Sequence, residues 1–166
     1  MGYIDNVSMR CDILAHFRST LRLHARGVLP RSIMEDVSPT LPEDQIYQAI
    51  GDDGFRRLVH AFYRQVPADD ILGPMYPAAD LDGAETRLRQ FLIFRFGGPP
   101  TYIEERGHPR LGMRHGRFPI DIHARDRWIA LMNNAFIEAA LPTEAEQTLR
   151  DFFDHVATFL INRKET

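Results

Sequence analysis

The chain has 166 residues, 44% of them apolar and 26% charged, an ordinary globular composition at a length that suits one domain, which excludes wholesale disorder. Its net charge of −3, from 20 basic and 23 acidic residues, sets up no whole-chain field for nucleic acid. Unbroken apolar runs are about four or five residues, as in Phe91-Leu92-Ile93-Phe94 and Trp128-Ile129-Ala130-Leu131-Met132, far short of the roughly 18 that span a bilayer. One cysteine, Cys11, forbids an intrachain disulfide and suits a reducing compartment, so a soluble cytoplasmic protein is expected.

Residues 1–41 stand apart. Cys11–Ala25 can form one loose helix on Ile13, Leu14, Phe17, Leu21 and Leu23, but Gly27, Pro30 and Pro39 interrupt the stretch beyond it. No continuous apolar core of a secretory signal is present. The expectation is a poorly ordered extension, or sequence ahead of a translation start near Met34. A helical domain is expected over 42–166.

From residue 42 the pattern is helical. Pro42-Glu43-Asp44 opens a short helix through Ile46, Tyr47 and Ile50; Gly51 breaks it, and Asp52 or Asp53 can cap the next. Phe55, Leu58, Val59, Phe62 and Val66 fall on one helical face, and Pro67 marks its end. Residues 71–77 form a compact apolar connector. A helix from about Asp82 carries Ala84, Leu88, Phe91, Leu92 and Arg95, and stops at Gly97-Gly98-Pro99-Pro100. Thr101–Arg106 suits one or two turns, and the glycines and prolines of 107–119 deny a long helix. Asp121 then caps a helix with Ile122, Trp128, Ile129, Met132, Phe136 and Ala139. Thr143-Glu144-Ala145-Glu146 fits the capping-box pattern at the head of a last helix, whose face is Leu149, Phe152, Phe153, Val156 and Leu160. No strand-like alternation competes, and the fold class is all-α.

Few side chains carry an obvious chemistry. His108 and His115 lie in a basic loop, yet no cysteine or carboxylate pair supplies a zinc spacing, and HExxH, CxxC, GxGxxG and P-loop patterns are missing. The ordinary role of such a histidine is a solvated or hydrogen-bonded one. Tyr63, Tyr76 and Trp128 are ordinarily core aromatics whose polar tips reach carbonyls or water. No serine follows residue 38, so acyl transfer by a serine nucleophile finds no support in the domain.

Taken together, linked stretches of the domain resemble the group II truncated haemoglobins, the two-over-two globins. They are Phe62-Tyr63-Arg64-Gln65-Val66, Met75-Tyr76-Pro77, Gly83-Ala84-Glu85 with Arg87-Leu88-Arg89, and Gly97-Gly98-Pro99 before Thr101-Tyr102. The series continues through Arg106-Gly107-His108-Pro109-Arg110-Leu111, Met113-Arg114-His115, Phe118, Arg125-Asp126 and Trp128. The resemblance spans residues 43–166. Gly97-Gly98 matches the pair that lets the chain swing across the haem, whereas the family's earlier glycine pair is here Gly51-Asp52.

The resemblance implies a two-over-two helical sandwich around one haem b, with His115 as the proximal iron ligand. It places Tyr63, Tyr76 and Trp128 as distal groups that stabilise a bound ligand. Ala84 stands where many globins carry a distal histidine. Phe62, Leu88, Phe91, Phe118 and Met132 would wall the cavity, with Met113 in the cofactor set. Arg87, Tyr102 and Arg114 would meet the propionates, as suits a cation or a hydroxyl donor. The implied ligands are dioxygen, carbon monoxide and nitric oxide, with slow release. Oxygen binding is the primary function expected. Peroxidase-like or nitric-oxide dioxygenase chemistry would need a reductase or a second substrate site, and the sequence displays neither. A homodimer is open, and a haem-free helical interaction domain is the alternative.

Overall fold

The computed structural model describes residues 40–164; the expected extension and its loose helix lie outside the described residues. Six α-helices carry the domain: α1 (Ile46–Tyr63), α2 (Leu81–Arg95), α3 (Thr101–Arg106), α4 (Leu111–His115), α5 (Ile122–Ala139) and α6 (Thr143–Phe159). Single 3-10 turns at Glu43–Gln45, Val66–Ala68, Gly73–Met75 and Ala78–Asp80 join them, and no strand occurs among the described residues. Helix α1 packs on α2 and on α5, α5 packs on α6, and α2 leads into α3. The result is the two-over-two helical sandwich.

The core follows the periodic faces. Phe55, Leu58, Val59 and Phe62 of α1 and Val66 beyond it are fully buried, joined by Leu92, Met132, Phe136, Leu149 and Phe153. Each such side chain contributes roughly 1.5–3 kcal/mol through its removal from water. The face crosses the end of the helix: α1 stops at Tyr63, and Val66 buries itself from the following turn rather than the helix running to Pro67.

One local expectation holds and two need adjustment. Gly51 breaks the helix as expected: at φ 59° and ψ −173° it is non-helical, so α1 is two helical segments that meet there at a kink. Asp52 accepts a hydrogen bond from the Tyr47 hydroxyl (2.9 Å) and Asp53 pairs with Arg56 and Arg57. At the head of α6 the capping box is not made: Pro142 is the N-cap and no side chain bonds there. The Pro142 carbonyl accepts from Ala145 (3.0 Å) and Glu146 (2.9 Å), and the Glu146 carboxylate turns to Arg150 (2.7 Å). By contrast, Asp121 caps α5 as expected, its Oδ1 accepting from the Ala124 N–H at 2.8 Å.

The stop after α2 has a steric cause. Gly97 adopts φ +97°, and a Cβ there would lie 2.3 Å from the Asp44 carbonyl oxygen. The chain therefore reverses against the start of the domain at a point only glycine fits.

Candidate functional site

The end of α1 and the middle of α5 bring the three polar aromatics together. Phe62 is fully buried and lies between two of them, its ring 5.3 Å from Tyr63 and 5.2 Å from Trp128. Tyr63 meets Tyr76 edge to face at 5.8 Å. Residues 62, 63, 76 and 128 thus form one continuous wall, although Tyr76 comes from the connector.

The phenols differ in their surroundings. The Tyr63 side chain is buried, and its hydroxyl finds no hydrogen-bond partner among the described residues. Burial pushes its ionisation well above the ordinary phenol value, and the neighbouring Tyr76 adds to this while Arg87 opposes it. Burial also pushes the Tyr76 phenol up, to about 12, while the neighbouring Trp128 indole acts to lower it.

Backbone-directed polar groups hold this wall in place. Gln65 donates from Nε2 to the carbonyls of Ala61 (2.9 Å) and Leu131 (3.0 Å), and accepts from Asn134 (3.1 Å). Asp69 Oδ1 accepts from the N–H groups of Ile71 (3.0 Å) and Leu72 (2.8 Å), while Oδ2 accepts from Arg127 (2.7 Å). Its side chain is only 4% exposed. Burial acts to raise this carboxyl, but the Leu72 N–H, Arg127 and the Ile71 N–H outweigh it and hold it below the ordinary value. Asp69 thereby fastens the Tyr76 connector to the residue beside Trp128. Neither Gln65 nor Asp69 is distinguishable by periodicity, since each acts on carbonyls or N–H groups that a sequence does not locate.

The element that carries His115 is short. His115 ends α4 and is half-buried. Its Nδ1 donates to the Leu111 carbonyl at 2.8 Å, because a carbonyl only accepts. That fixes the neutral tautomer with a lone pair on Nε2, as an imidazole ligand to a metal requires. Phe118 is half-buried 6.5 Å from the His115 ring, centroid to centroid. Asn162 reaches this segment from the C-terminal tail, donating to the carbonyls of His115 (3.3 Å) and Phe118 (3.0 Å).

The remaining expected residues divide. Phe91 and Tyr102 are buried and in ring contact at 5.5 Å, and Met132 is buried. Ala84 and Leu88 are half-buried along α2. Arg87 is paired with Asp80 (2.6 Å). The Arg114 guanidinium donates to the carbonyls of Pro109 (2.8 Å) and Arg106 (3.0 Å), and so holds its own loop. Met113 is 76% exposed. Leu111 and His115, four residues apart, share one face of α4, and Met113 midway between them points away.

These donors suit a porphyrin iron. A single imidazole with its Nε2 available faces no cluster of further ligands; among the described residues no group of three or more His, Cys, Asp or Glu gathers around a point. Nor is any described helix long and apolar enough to cross a membrane.

The bacterial-like globin family model matches residues 45–162. The group 2 truncated haemoglobin YjbI of Bacillus subtilis is 36% identical over 119 residues, covering 72% of this chain and 89% of that relative. Among solved structures, a thermostable haemoglobin of the actinobacterium Thermobifida fusca is 46% identical with a TM-score of 0.69, covering 72% of this chain and 98% of that one. The truncated oxygen-avid haemoglobin of Bacillus subtilis is 36% identical with a TM-score of 0.67, covering 70% and 98%. With the helical sandwich, the aromatic wall and a poised histidine in one chain, these likenesses place it in the bacterial-like globins as a group II truncated haemoglobin, a haem-binding protein.

Proposed function

We propose that the chain holds one haem b through His115 and binds dioxygen with slow release beside Tyr63, Tyr76 and Trp128, carbon monoxide and nitric oxide being further ligands. The observation that supports this most is the His115 tautomer: Nδ1 is committed to the Leu111 carbonyl at 2.8 Å, leaving Nε2 as a ligand atom. His115 would hold the group, which would supply an iron able to take up a diatomic molecule. The cysteine count supports the b form, since covalent attachment through C-x-x-C-H needs two cysteines and the chain has Cys11 alone.

Tyr63 and Tyr76 remain protonated at neutral pH because burial disfavours the phenolate. Both therefore act as donors. The Trp128 indole N–H, a donor only, adds a third donor on the same wall. A hydrogen bond to a charged acceptor is worth about 1.5–3 kcal/mol, or roughly 10- to 150-fold in an equilibrium. Dioxygen takes up more negative charge than carbon monoxide, so it gains more from these donors. A relative of known structure is itself described as oxygen-avid. Long residence suits chemistry with nitric oxide or peroxide, served by a reductase in the cytoplasm, better than oxygen transport.

Absorption spectra of the haem-reconstituted protein in ferric, ferrous and air-equilibrated forms, beside His115→Gly, test this reading. The expected result is a stoichiometric Soret band and a stable oxygenated spectrum, lost or shifted in the variant. A chain that takes up no stoichiometric haem would instead be a helical interaction domain.

A further inference from the structure

Helix α4 has five residues, and a helix of about one turn does not offset its own nucleation cost in water. Its entry residue, Arg110, lies in the left-handed region at φ 42°, and most of residues 104–119 are exposed. Burial therefore does little to place His115. Hydrogen bonds from two side chains do the rest.

On the entry side Arg114 ties α4 to the carbonyls of Pro109 and Arg106. On the exit side a single carboxamide performs three tasks. Asn162 Nδ2 donates to the His115 carbonyl (3.3 Å) and the Phe118 carbonyl (3.0 Å), and Oδ1 accepts from the Ile120 N–H (3.1 Å). The backbone N–H groups of Asn162 and Arg163 both donate to the Ile120 carbonyl, at 2.9 and 3.0 Å. The tail beyond α6 is thus bolted to the segment that leaves His115, and one bolt is on the carbonyl of His115 itself.

We propose that Asn162 is a positioning residue for His115, setting the tilt of the imidazole and hence the strength of its axial bond. This rests on the reading of His115 as the iron ligand. The side chain touches no reacting atom; it acts by fixing the backbone from which the imidazole hangs. Partners that orient a ligand without binding the metal themselves change metal affinity by about 10- to 100-fold, and Asn162 stands one step further out.

Two variants separate orientation from bulk stability. Asn162→Ala removes all three bonds. Asn162→Asp keeps the acceptor for the Ile120 N–H but loses both donors and sets a carboxylate oxygen against two carbonyls. In the haem-loaded full chain, the iron–histidine stretching line of the ferrous resonance Raman spectrum is expected to shift or broaden in both. Transfer of haem to an apoglobin acceptor is expected to quicken up to about tenfold. A line at the parent frequency with parent-like haem transfer, even where the melting temperature falls, would overturn the proposal and leave Asn162 as a tail anchor only. A parent spectrum with no line that His115→Gly abolishes would overturn the ligand reading and the clamp together.

Discussion

Tyr63 and Trp128 stand on a wall of rings anchored in long helices, which Tyr76 joins from the connector, whereas His115 stands on one helical turn anchored by hydrogen bonds to backbone carbonyls. On the first side Phe62 is fully buried between Tyr63 and Trp128, and dispersion over many contacts fixes each ring. On the second, Arg114 and Asn162 each bind two carbonyls of the loop. Packing resists displacement in every direction and hydrogen bonds resist it along a few. The wall is accordingly expected to move as a block, and the histidine side to be the more compliant of the two.

The strongest way to break this contrast is Phe62→Ala. Deleting a fully buried phenyl ring is expected to cost about 3–5 kcal/mol of unfolding free energy, read from urea titration. Tyr63 and Trp128 lose their common support at the same time, so dioxygen release should quicken although neither donor is altered. A cost below about 1 kcal/mol would show that the rings are not what fixes the wall.

Tyr63→Phe separates the donor from the packing. The hydroxyl has no partner among the described residues, so its removal should leave stability close to the parent value. Dioxygen dissociation, followed by stopped flow, should accelerate by about 10- to 150-fold, equivalent to about 1.5–3 kcal/mol. Carbon monoxide should change less. Equal changes for both ligands would mean that Tyr63 acts by shape and not by donation.

Asp69→Asn sharpens the comparison from the polar side of the wall. The variant keeps an acceptor but loses the charge that faces Arg127, for an expected loss of about 1.5 kcal/mol at about pH 7. The native carboxyl lies below its unfolded value of about 3.9. Its contribution is therefore present above about pH 4 and disappears as pH falls through the native value. Unfolding free energies measured from about pH 7 to about pH 3 should show a constant gap between parent and variant down to about pH 5, closing below about pH 4. A gap that persists into acid would remove Asp69 from the account.

The same division between packing and hydrogen bonding decides how much is legible in the sequence. Apolar spacing locates α1, α2, α5 and α6, because a face that must be buried repeats along the chain. Glycine and proline mark the turn at 97–100, where the Asp44 carbonyl leaves no room for a Cβ. The aromatic wall is legible through its ordered family motifs, and its members do lie together. The anchors are not legible. Asn162 acts across 47 residues on His115 and Gln65 across 66 residues on Leu131, and a carbonyl acceptor has no residue-type signature. The bonds by which Arg114 holds its own loop are hidden for the same reason, since both of its partners are backbone carbonyls.

The smallest expected effect concerns two helix starts that look alike on paper. Asp121 and Thr143 both precede apolar runs at capping positions, but only Asp121 accepts a backbone N–H, from Ala124 at 2.8 Å. Thr143 is already inside α6, whose N-cap is Pro142. Asp121→Ala should therefore cost about 1 kcal/mol, and because it starts α5 directly after the Phe118–Ile120 segment, the loss should be felt on the compliant side. Thr143→Ala should lie within about 0.5 kcal/mol of the parent, as alanine is at least as good a helix former in that first turn. Paired urea titrations give the difference directly; equal losses would restore the capping box at Thr143 and contradict the geometry at Pro142.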